Sequence, residues 1–379
     1  MKDVTVSDLS GAPPTSDAAD PPPRQPWRIP SSAKNRPRFT DPPEFIAFGE
    51  PWTAGQESRQ IWPLRQVEPP QLGGWIETLR RCGVTAKRHN SPDLDAQLNQ
   101  AMRRPIDTVL CAALDVDPSA ALNSALVCRY PIELAAGVLL ISRATNAKRS
   151  WILIDHRVPM SWYTLLRKAG DETGMRVEPI INDYPQADPT ILLYTMLGRR
   201  LRPLRLPTEQ GALVLDAAAA IAVGRCALLN ESMTQSPIVV RDHVMERSHY
   251  LTVPTTMTLG EVMVKLILPT SERVILAGDL LRDRHVSPDL SIDAGELVFH
   301  TSERAAPTNP SPCVRCGWCV DACPTRVHPA TILEAAQRAD PIMAERAGLE
   351  ACIECGICSY VCPSNLPLLE GIRRIKAEG

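Results

Sequence analysis

Eight of the twelve cysteines share one spacing that occurs twice near the C-terminus. In each copy, two gaps of two residues are followed by a gap of three and by a closing Cys-Pro. The two sets are Cys313, Cys316, Cys319 and Cys323, and then Cys352, Cys355, Cys358 and Cys362. Thiolates with this spacing bind [4Fe–4S] clusters, and in two-cluster proteins the last cysteine of each run binds the other cluster. The spacing therefore predicts two clusters that carry single electrons.

Exchange of the fourth cysteine defines two predicted ligand sets. Site I has the predicted ligands Cys313, Cys316, Cys319 and Cys362. Site II has the predicted ligands Cys352, Cys355, Cys358 and Cys323. Gly317 and Gly356 follow the second cysteine of each loop, where the backbone must curl around the cluster, and Pro324 and Pro363 end the loops. Crossed ligation brings the clusters close together, which suits electron transfer between them.

Three other interpretations of these cysteines compete with electron transfer. Zinc sites use pairs of Cys-x2-Cys rather than a run of four with a closing Cys-Pro. Disulfides need an oxidising compartment, and the sequence opens without the pattern of a signal peptide. The clusters would serve a structural role if they only held the C-terminal domain together. Electron transfer is the prediction, and a structural cluster is its main alternative.

Length and charge restrict the possible classes of protein. A chain of 379 residues has room for two or three domains. Its 41 Lys and Arg residues nearly balance 43 Asp and Glu residues, which argues against a nucleic-acid partner. No apolar run is long enough for a spanning helix. Reduced cysteines and the absence of such a run predict a cytoplasmic protein. Any association with the membrane would be peripheral, through partners on the cytoplasmic face of the inner membrane.

Pattern changes along the chain predict four regions. Residues 1–45 contain ten prolines and are predicted to be a disordered tail. Residues 46–206 alternate strands and helices, which predicts an α/β domain with a parallel sheet. The predicted strands are residues 107–113, 151–155 and 176–181, and the predicted helices are residues 75–82, 120–139 with a break at Pro131, 162–169 and 189–197.

The remaining two regions differ from the α/β domain in their pattern of predicted strands and helices. Residues 207–304 contain short β-like runs around a helix at 259–266, which predicts a small α+β domain. Residues 305–379 hold the cysteine loops and predicted helices at 329–338, 342–348 and 366–376. The predicted fold is therefore multidomain, α/β plus α+β, with a helix-decorated two-cluster ferredoxin domain.

The chain resembles the RnfC/RsxC subunit of Rnf electron-transport complexes over residues 70–379, and it is also similar to PduS-type reductases. The resemblance rests on both cysteine loops, on Asp183-Tyr184-Pro185-Gln186 with the following Gly198-Arg199-Arg200, and on the Ala-Ile-Ala-Val-Gly-Arg run ending at Arg225. It implies that residues 46–206 resemble the complex-I-type domain that binds FMN and NADH. It implies a soluble-ligand-binding β-grasp (SLBB-like) domain at 207–304. The implied partners are other complex subunits or a redox protein such as ferredoxin or flavodoxin.

One segment departs from that family. Members hold flavin and nucleotide phosphates on a Gly-rich loop, whereas residues 82–92 here contain Lys87, Arg88 and His89. Such side chains block close approach of a phosphate to the backbone. FMN and NADH are therefore doubtful cofactors, the flavin-binding residues are unknown, and no catalytic residue is predicted.

The predicted function is relay of single electrons by an RnfC-like subunit of a membrane-associated complex. One alternative is an NADH-dependent flavin or cobalamin reductase with a divergent FMN site. The other is an interaction scaffold with structural clusters. A basic patch of Arg199, Arg200, Arg202 and Arg205 would attract an acidic redox partner, unless it is only a solvated loop.

Overall fold

A computed structural model describes residues 43–48 and 71–378, except residues 85, 89, 230, 270–272, 283, 294 and 304–308. The predicted tail at residues 1–45 lies outside the described residues apart from 43–45. The strands of the described part are β1 (Ile46–Ala47), β2 (Thr108–Ala113), β3 (Arg149–Asp155), β4 (Arg176–Ile180), β5 (Ala212–Asp216), β6 (Gln235–Asp242), β7 (Arg247–Pro254), β8 (Arg273–Ala277) and β9 (Val298–Glu303).

The helices surround two sheets and form most of the C-terminal region. They are α1 (Leu72–Arg81), α2 (Leu94–Ala101), α3 (Leu122–Arg129), α4 (Pro131–Ala144), α5 (Met160–Thr173), α6 (Pro189–Leu197), α7 (Ala217–Leu229), α8 (Leu259–Lys265), α9 (Trp318–Asp321), α10 (Pro329–Arg338), α11 (Pro341–Arg346), α12 (Ile357–Tyr360) and α13 (Leu368–Glu378). Among the described residues, no single helix has the length and apolar character of a membrane span. Within the described ranges, α3 and α4 meet that test when taken together, but they are bent by 97° relative to each other.

The first sheet is parallel, with the strand order β4-β3-β2-β5. All residues of β2 and β5 are buried, as expected for strands covered by helices on both faces. Alternate residues point to opposite faces. Val109 and Cys111 therefore pack in the core with α4 and α7, whereas Leu110 and Ala112 pack with residues of α6.

Two glycines allow α4 and α7 to touch. A Cβ on Gly137 would lie 1.8 Å from the Ala220 carbonyl oxygen, and one on Gly224 would lie 2.1 Å from the Glu133 carbonyl oxygen. Any larger residue at either position would push the two helices apart, because protein interiors are closely packed. This pair of helices forms the wall behind β2 and β5.

The domain boundary predicted at residue 206/207 lies too early in the chain. β5 and α7, at residues 212–229, belong to the parallel sheet, because β5 pairs with β2 in the register Thr108↔Ala212. The predicted start of the α/β domain at residue 46 differs too, because β1 pairs with β7 of the second sheet through Ile46↔Leu251. The strands are added from β2 through β3 to β4 on one side, and β5 then pairs with the opposite edge of β2. The local sequence pattern does not show on which side β5 pairs.

The second sheet is mixed, with the order β1-β7-β6-β9-β8. β6 and β7 form an antiparallel pair, and β6 runs parallel to β9. Helix α8 begins at a capping box, in which the Thr258 side chain accepts a hydrogen bond from Glu261 N and the Glu261 side chain accepts one from Thr258 N. The sheet and its helix agree with the predicted α+β character of this region.

The C-terminal region is built from helices around the cysteine loops. Helices α10 and α13 bury Ile332, Leu368 and Ile372 between them. A Cβ on Gly371 would lie 2.3 Å from Leu333 Cδ1, so the helices are in close contact. The helices predicted at 329–338, 342–348 and 366–376 are present as α10, α11 and α13.

Candidate iron–sulfur centre

The two cysteine loops have the same backbone conformation at equivalent positions. Each loop has three residues with positive φ at equivalent positions. Arg315 and Glu354 come before the second cysteine, Gly317 and Gly356 come after it, and Arg326 and Asn365 follow the closing Cys-Pro by two residues. Since positive φ is uncommon for residues other than glycine, the repeat indicates that both loops curl around something of the same shape.

Site II is a buried pocket. Its four predicted ligands, Cys323, Cys352, Cys355 and Cys358, all line this one pocket. Each of these residues is only 7–8% exposed. Cys323 comes from the first loop and the other three come from the second loop. The structure therefore brings together the set that the spacing predicts.

Site I is more open. Cys313 and Cys316 are exposed, whereas Cys319 and Cys362 are partly buried. Burial raises the pKa of the Cys319 thiol, and the neighbouring Cys316 and Cys362 thiols raise it further. Cys362, from the second loop, therefore lies beside the cysteines of the first loop.

Two hydrogen bonds hold the chain near Cys313 against the second loop. Ser311 N donates to the Ser364 carbonyl oxygen at 2.9 Å, and the Ser364 hydroxyl donates to the Pro312 carbonyl oxygen at 3.0 Å. Because Ser364 is two residues beyond Cys362, these bonds place the segment that carries Cys313 on the side of site I.

The thiols of site II influence one another. The pKa of Cys355 is raised to about 12, mainly by burial and in part by nearby Cys352 and Cys323. Burial likewise raises the pKa of Cys358, and the neighbouring thiols contribute in the same direction. Four thiols that lose their protons together in such a place need a compensating positive charge, and bound iron would supply it.

The geometry favours clusters over the other interpretations of the cysteines. None of the twelve cysteines forms a disulfide. Within the described ranges, no three His, Cys, Asp or Glu side chains are arranged to hold one metal ion. What separates a cluster from a zinc site is the ligand pattern itself, a run of four cysteines with a closing Cys-Pro rather than paired Cys-x2-Cys.

Site II is joined to the two sheets by a buried polar cluster. The Tyr184 hydroxyl donates to the Cys355 carbonyl oxygen and lies 3.1 Å from Asp279 Oδ1. Arg282 Nε lies 2.8 Å from Asp279 Oδ2. Burial raises the pKa of Asp279 to about 7, although the Arg282 charge opposes this. Sequence reasoning missed this cluster, since Tyr184 and Cys355 are 171 residues apart.

The backbone of the second loop is held by close packing and by cations. A Cβ on Gly356 would lie 1.8 Å from the Leu281 carbonyl oxygen, so only glycine fits there. Lys376 Nζ donates to the Cys352 carbonyl oxygen at 2.6 Å. Glu354 pairs with Lys376 at 3.1 Å and with Arg373 at 3.2 Å. Site II thus lies among fixed positive charges.

A second place of interest is the crevice at the carboxyl ends of β2 and β5. Ligands of open α/β sheets bind where the strand order reverses, and here the order reverses between these two strands. Arg88 lies in this crevice. Its Nε and Nη2 each donate to the Asp216 carboxylate at 2.7 Å, and the two side chains are only 7% and 2% exposed.

Neighbouring polar groups complete the filling of the crevice. Asn123 Nδ2 and Asn90 Nδ2 both donate to the Leu114 carbonyl oxygen, at 2.9 and 3.3 Å. The Asp115 carboxylate accepts hydrogen bonds from Asn123 N at 2.6 Å and from the Ser124 hydroxyl at 2.6 Å. Burial raises the pKa of Asp115 to about 7. These groups bond to one another rather than pointing into open space.

Comparison with known families matches two parts of the chain. Residues 94–225 match the Nuo51 FMN-binding domain, and residues 307–363 match the 4Fe-4S dicluster domain. The second match confirms the predicted pair of clusters. The first match begins after residues 82–92, the segment in which the sequence departs from a phosphate-binding loop.

Curated relatives are similar over most of the chain, and both named here are RnfC-type subunits of an ion-translocating oxidoreductase complex. The relative from Edwardsiella ictaluri is 25% identical over 85% of this chain and 40% of its own length. The relative from Rhodobacter capsulatus is 25% identical over 74% of this chain and 55% of its own length. The chain is RnfC-like. It spans only about half the length of these relatives.

Two further comparisons extend this result. The corresponding component of the Na(+)-translocating ferredoxin:NAD(+) oxidoreductase complex of Acetobacterium woodii is 22% identical over 62% of this RnfC-like chain and 54% of its own length. A chain of an NAD+-reducing [NiFe]-hydrogenase has a TM-score of 0.55 at 14% identity, covering 84% of this chain and 63% of that chain. The hydrogenase chain therefore shares the fold.

The crevice of this RnfC-like chain contains a buried ion pair that bears on flavin binding. A flavin phosphate would need free backbone N–H groups at a close approach. In the described part of the crevice, Arg88 and Asp216 instead hydrogen-bond to each other. Displacing Arg88 would leave Asp216 as an unpaired buried carboxylate, which is costly.

Proposed function

We propose that this RnfC-like chain relays single electrons through two [4Fe–4S] clusters as a subunit of a membrane-associated electron-transport complex. Each bound cluster would accept and donate one electron. The proposal is supported by the dicluster match and by the names of the curated relatives. The observation that carries it is that Cys323 of the first loop lines one pocket with three cysteines of the second loop, while Cys362 of the second loop lies near Cys319 of the first.

The eight cysteines are the proposed ligands, with the crossed assignment that the spacing predicts. Site I takes Cys313, Cys316, Cys319 and Cys362, and site II takes Cys352, Cys355, Cys358 and Cys323. Trp318 and Val314, in the first loop, are exposed around site I. Site I therefore faces outward, toward a partner, whereas site II faces the rest of the chain.

The two sheet domains are proposed to act as scaffold and docking surface. We assign the mixed sheet to the SLBB-like class, on its mixed strand order and the capped helix α8. No step of the relay passes through a flavin in this proposal. The proposed partners are other subunits of the complex, through which the chain would associate peripherally with the cytoplasmic face of the membrane.

Two alternatives are weaker. An NADH-dependent flavin reductase would need a flavin site, and the Arg88–Asp216 pair fills the place where one would be expected. A scaffold with purely structural clusters leaves the exposure of site I without a role, since a structural centre gains nothing from ligands in contact with solvent.

The test is anaerobic purification followed by iron, sulfide and flavin quantitation and by EPR of the reduced protein. We expect about eight iron atoms per chain and no stoichiometric flavin, by the two-cluster ligand count. Cys316→Ser should remove the signal of site I alone, and Cys355→Ser that of site II alone. Zinc in place of iron, or stoichiometric FMN, would contradict the proposal.

A further inference from the structure

An exposed leucine occupies a position that ordinarily requires glycine. Residues 202–205 form a turn in which Arg205 N donates to the Arg202 carbonyl oxygen at 3.2 Å. Pro203 takes the second position, and Leu204, in the third, has a φ of 64°. A turn with proline second and positive φ third is of type II, which favours glycine at that place. Leu204 is nevertheless 83% exposed, so packing within the chain does not explain it.

The turn is held rigidly from both sides. Before it, Arg199 Nη2 donates to Asp107 Oδ2 at 2.6 Å, and Leu201 is buried in the core beside α6. After it, the Thr208 hydroxyl bonds to the Gln100 side chain. The strained backbone at Leu204 is therefore imposed by its surroundings, and strain of this kind is concentrated at functional sites.

Arginines surround this turn. Arg202 and Arg205 line a groove together with Arg103 and Arg104, which follow helix α2, and Glu209 is the acidic residue among the lining residues. Arg199 instead belongs to the structural pair with Asp107. Arg202 and Arg205 of the predicted basic patch thus share a groove with Arg103 and Arg104, and Leu204 lies between Arg202 and Arg205 in the turn.

The groove also lies next to the cluster region. Arg202 Nη1 is 3.6 Å from Glu350 Oε2, and Glu350 is two residues before Cys352 of site II. A protein bound in the groove would therefore sit beside the buried site, on a different part of the surface from the open loop of site I.

We propose that Leu204 and the arginine groove form a docking surface for a small acidic electron-carrier protein, which exchanges electrons with site II. This inference rests on the proposed function. The apolar side chain serves as the central anchor, and Arg103, Arg104, Arg202 and Arg205 form the charged rim that steers an acidic partner. The turn holds Leu204 ready for binding, so little conformational entropy is lost on association.

The test is binding of an oxidised acidic [4Fe–4S] ferredoxin to the intact holoprotein, measured by calorimetry at low and high salt. Leu204→Gly should weaken binding about tenfold or more, because the anchor is lost. It should leave the thermal midpoint unchanged or raise it, because glycine accepts the positive φ. Arg205→Glu should weaken binding and reduce its dependence on salt.

Matched controls exist elsewhere in the chain. Ile267 has a φ of 58° and is 90% exposed, but it follows helix α8 in the other domain. Ile267→Gly makes the same kind of change away from the groove, and Arg247→Glu makes the same charge reversal. Both should bind the ferredoxin like wild type.

The outcomes separate this proposal from the proposed function. Wild-type affinity in Leu204→Gly, or no binding of the ferredoxin to the wild-type holoprotein, would overturn the docking surface while leaving the relay intact. EPR of the same samples tests the relay itself. If EPR does not show two reducible clusters, the proposed function is wrong, whether or not the ferredoxin binds.

Discussion

Sites I and II have the same cysteine spacing and the same backbone turns, yet their surroundings differ. The proposed ligands of site II are 7–8% exposed, whereas Cys313 and Cys316 of site I are exposed. The second loop contacts Tyr184 and Lys376, which come from distant parts of the chain. Since cluster potentials depend on hydrogen bonds and solvent exposure, one motif used twice would give the two proposed clusters different potentials.

The largest expected effect separates the two loop glycines. Gly356 and Gly317 have φ values of 76° and 79°, so alanine is strained at both. A Cβ at Gly356 would lie 1.8 Å from the Leu281 carbonyl oxygen, whereas nothing lies within 4 Å of one at Gly317. Gly317→Ala should cost about 1–2 kcal/mol from the backbone alone. Gly356→Ala should cost several kcal/mol more and displace the second loop.

Thermal unfolding under anaerobic conditions, together with EPR of each cluster, measures the difference between these two variants. Gly356→Ala should lower the midpoint much more and disturb the signal of site II. If both alanine variants unfold alike, the second loop does not press against the rest of the chain, and the comparison fails.

Removing one hydroxyl group should weaken the junction at site II. Tyr184→Phe deletes the hydrogen bond to the Cys355 carbonyl oxygen and takes a partner from buried Asp279. Loss of a buried partner costs about 1–3 kcal/mol. Ser364→Ala removes one hydrogen bond at site I. Ser364 is also buried, but its hydroxyl group bonds to a carbonyl oxygen and to no buried carboxylate. The free energy of unfolding should therefore fall less in Ser364→Ala, and an equal loss would argue against a contribution from the contact between Tyr184 and Asp279.

Removing one charge should change the potential of site II alone. Lys376 Nζ donates to the Cys352 carbonyl oxygen at 2.6 Å, and its positive charge favours the more negative, reduced state of a nearby cluster. Lys376→Met should lower the potential of site II by a value on the order of tens of millivolts. Redox titration monitored by EPR measures both sites. A shift of equal size at site I would contradict the separation of their environments.

The smallest expected effect is a dependence of stability on pH at the junction. The pKa of Asp279 is raised from 3.8 to about 7 by burial, so the folded state keeps a proton that the unfolded state loses. The free energy of unfolding should therefore fall as pH rises from about 4 to about 7. Asp279→Asn should remove part of this slope. Buried Asp115, whose pKa is also raised to about 7, keeps the rest.

Denaturant titrations at several pH values check this expectation. Asp279→Asn keeps the volume and the polar contacts of the side chain while removing its titration. An unchanged slope in this variant would mean that Asp279 is charged in the folded protein, held so by Arg282.

Local signals predict many elements well. The helices at 189–197 and 329–338 have the predicted bounds, because each has proline in its first turn. Helix α2 is absent from the predicted elements, although Asp93, whose side chain accepts a hydrogen bond from Ala96 N at 2.9 Å, is a recognisable cap. The misplaced boundary at 206/207 has a different cause, since strand order depends on pairing between β2 and β5 across about a hundred residues.

The sequence by itself predicted the ligands of the proposed iron–sulfur centre, because three of the four thiols of each site come from one short loop whose spacing sets their geometry. It also indicated a changed flavin loop, through Lys87 and Arg88. Only the tertiary structure decided that Arg88 reaches Asp216, that Tyr184 contacts the second loop, and that Leu204 is presented beside four arginines. These contacts join residues far apart in the chain, and their existence depends on how whole helices and sheets pack together.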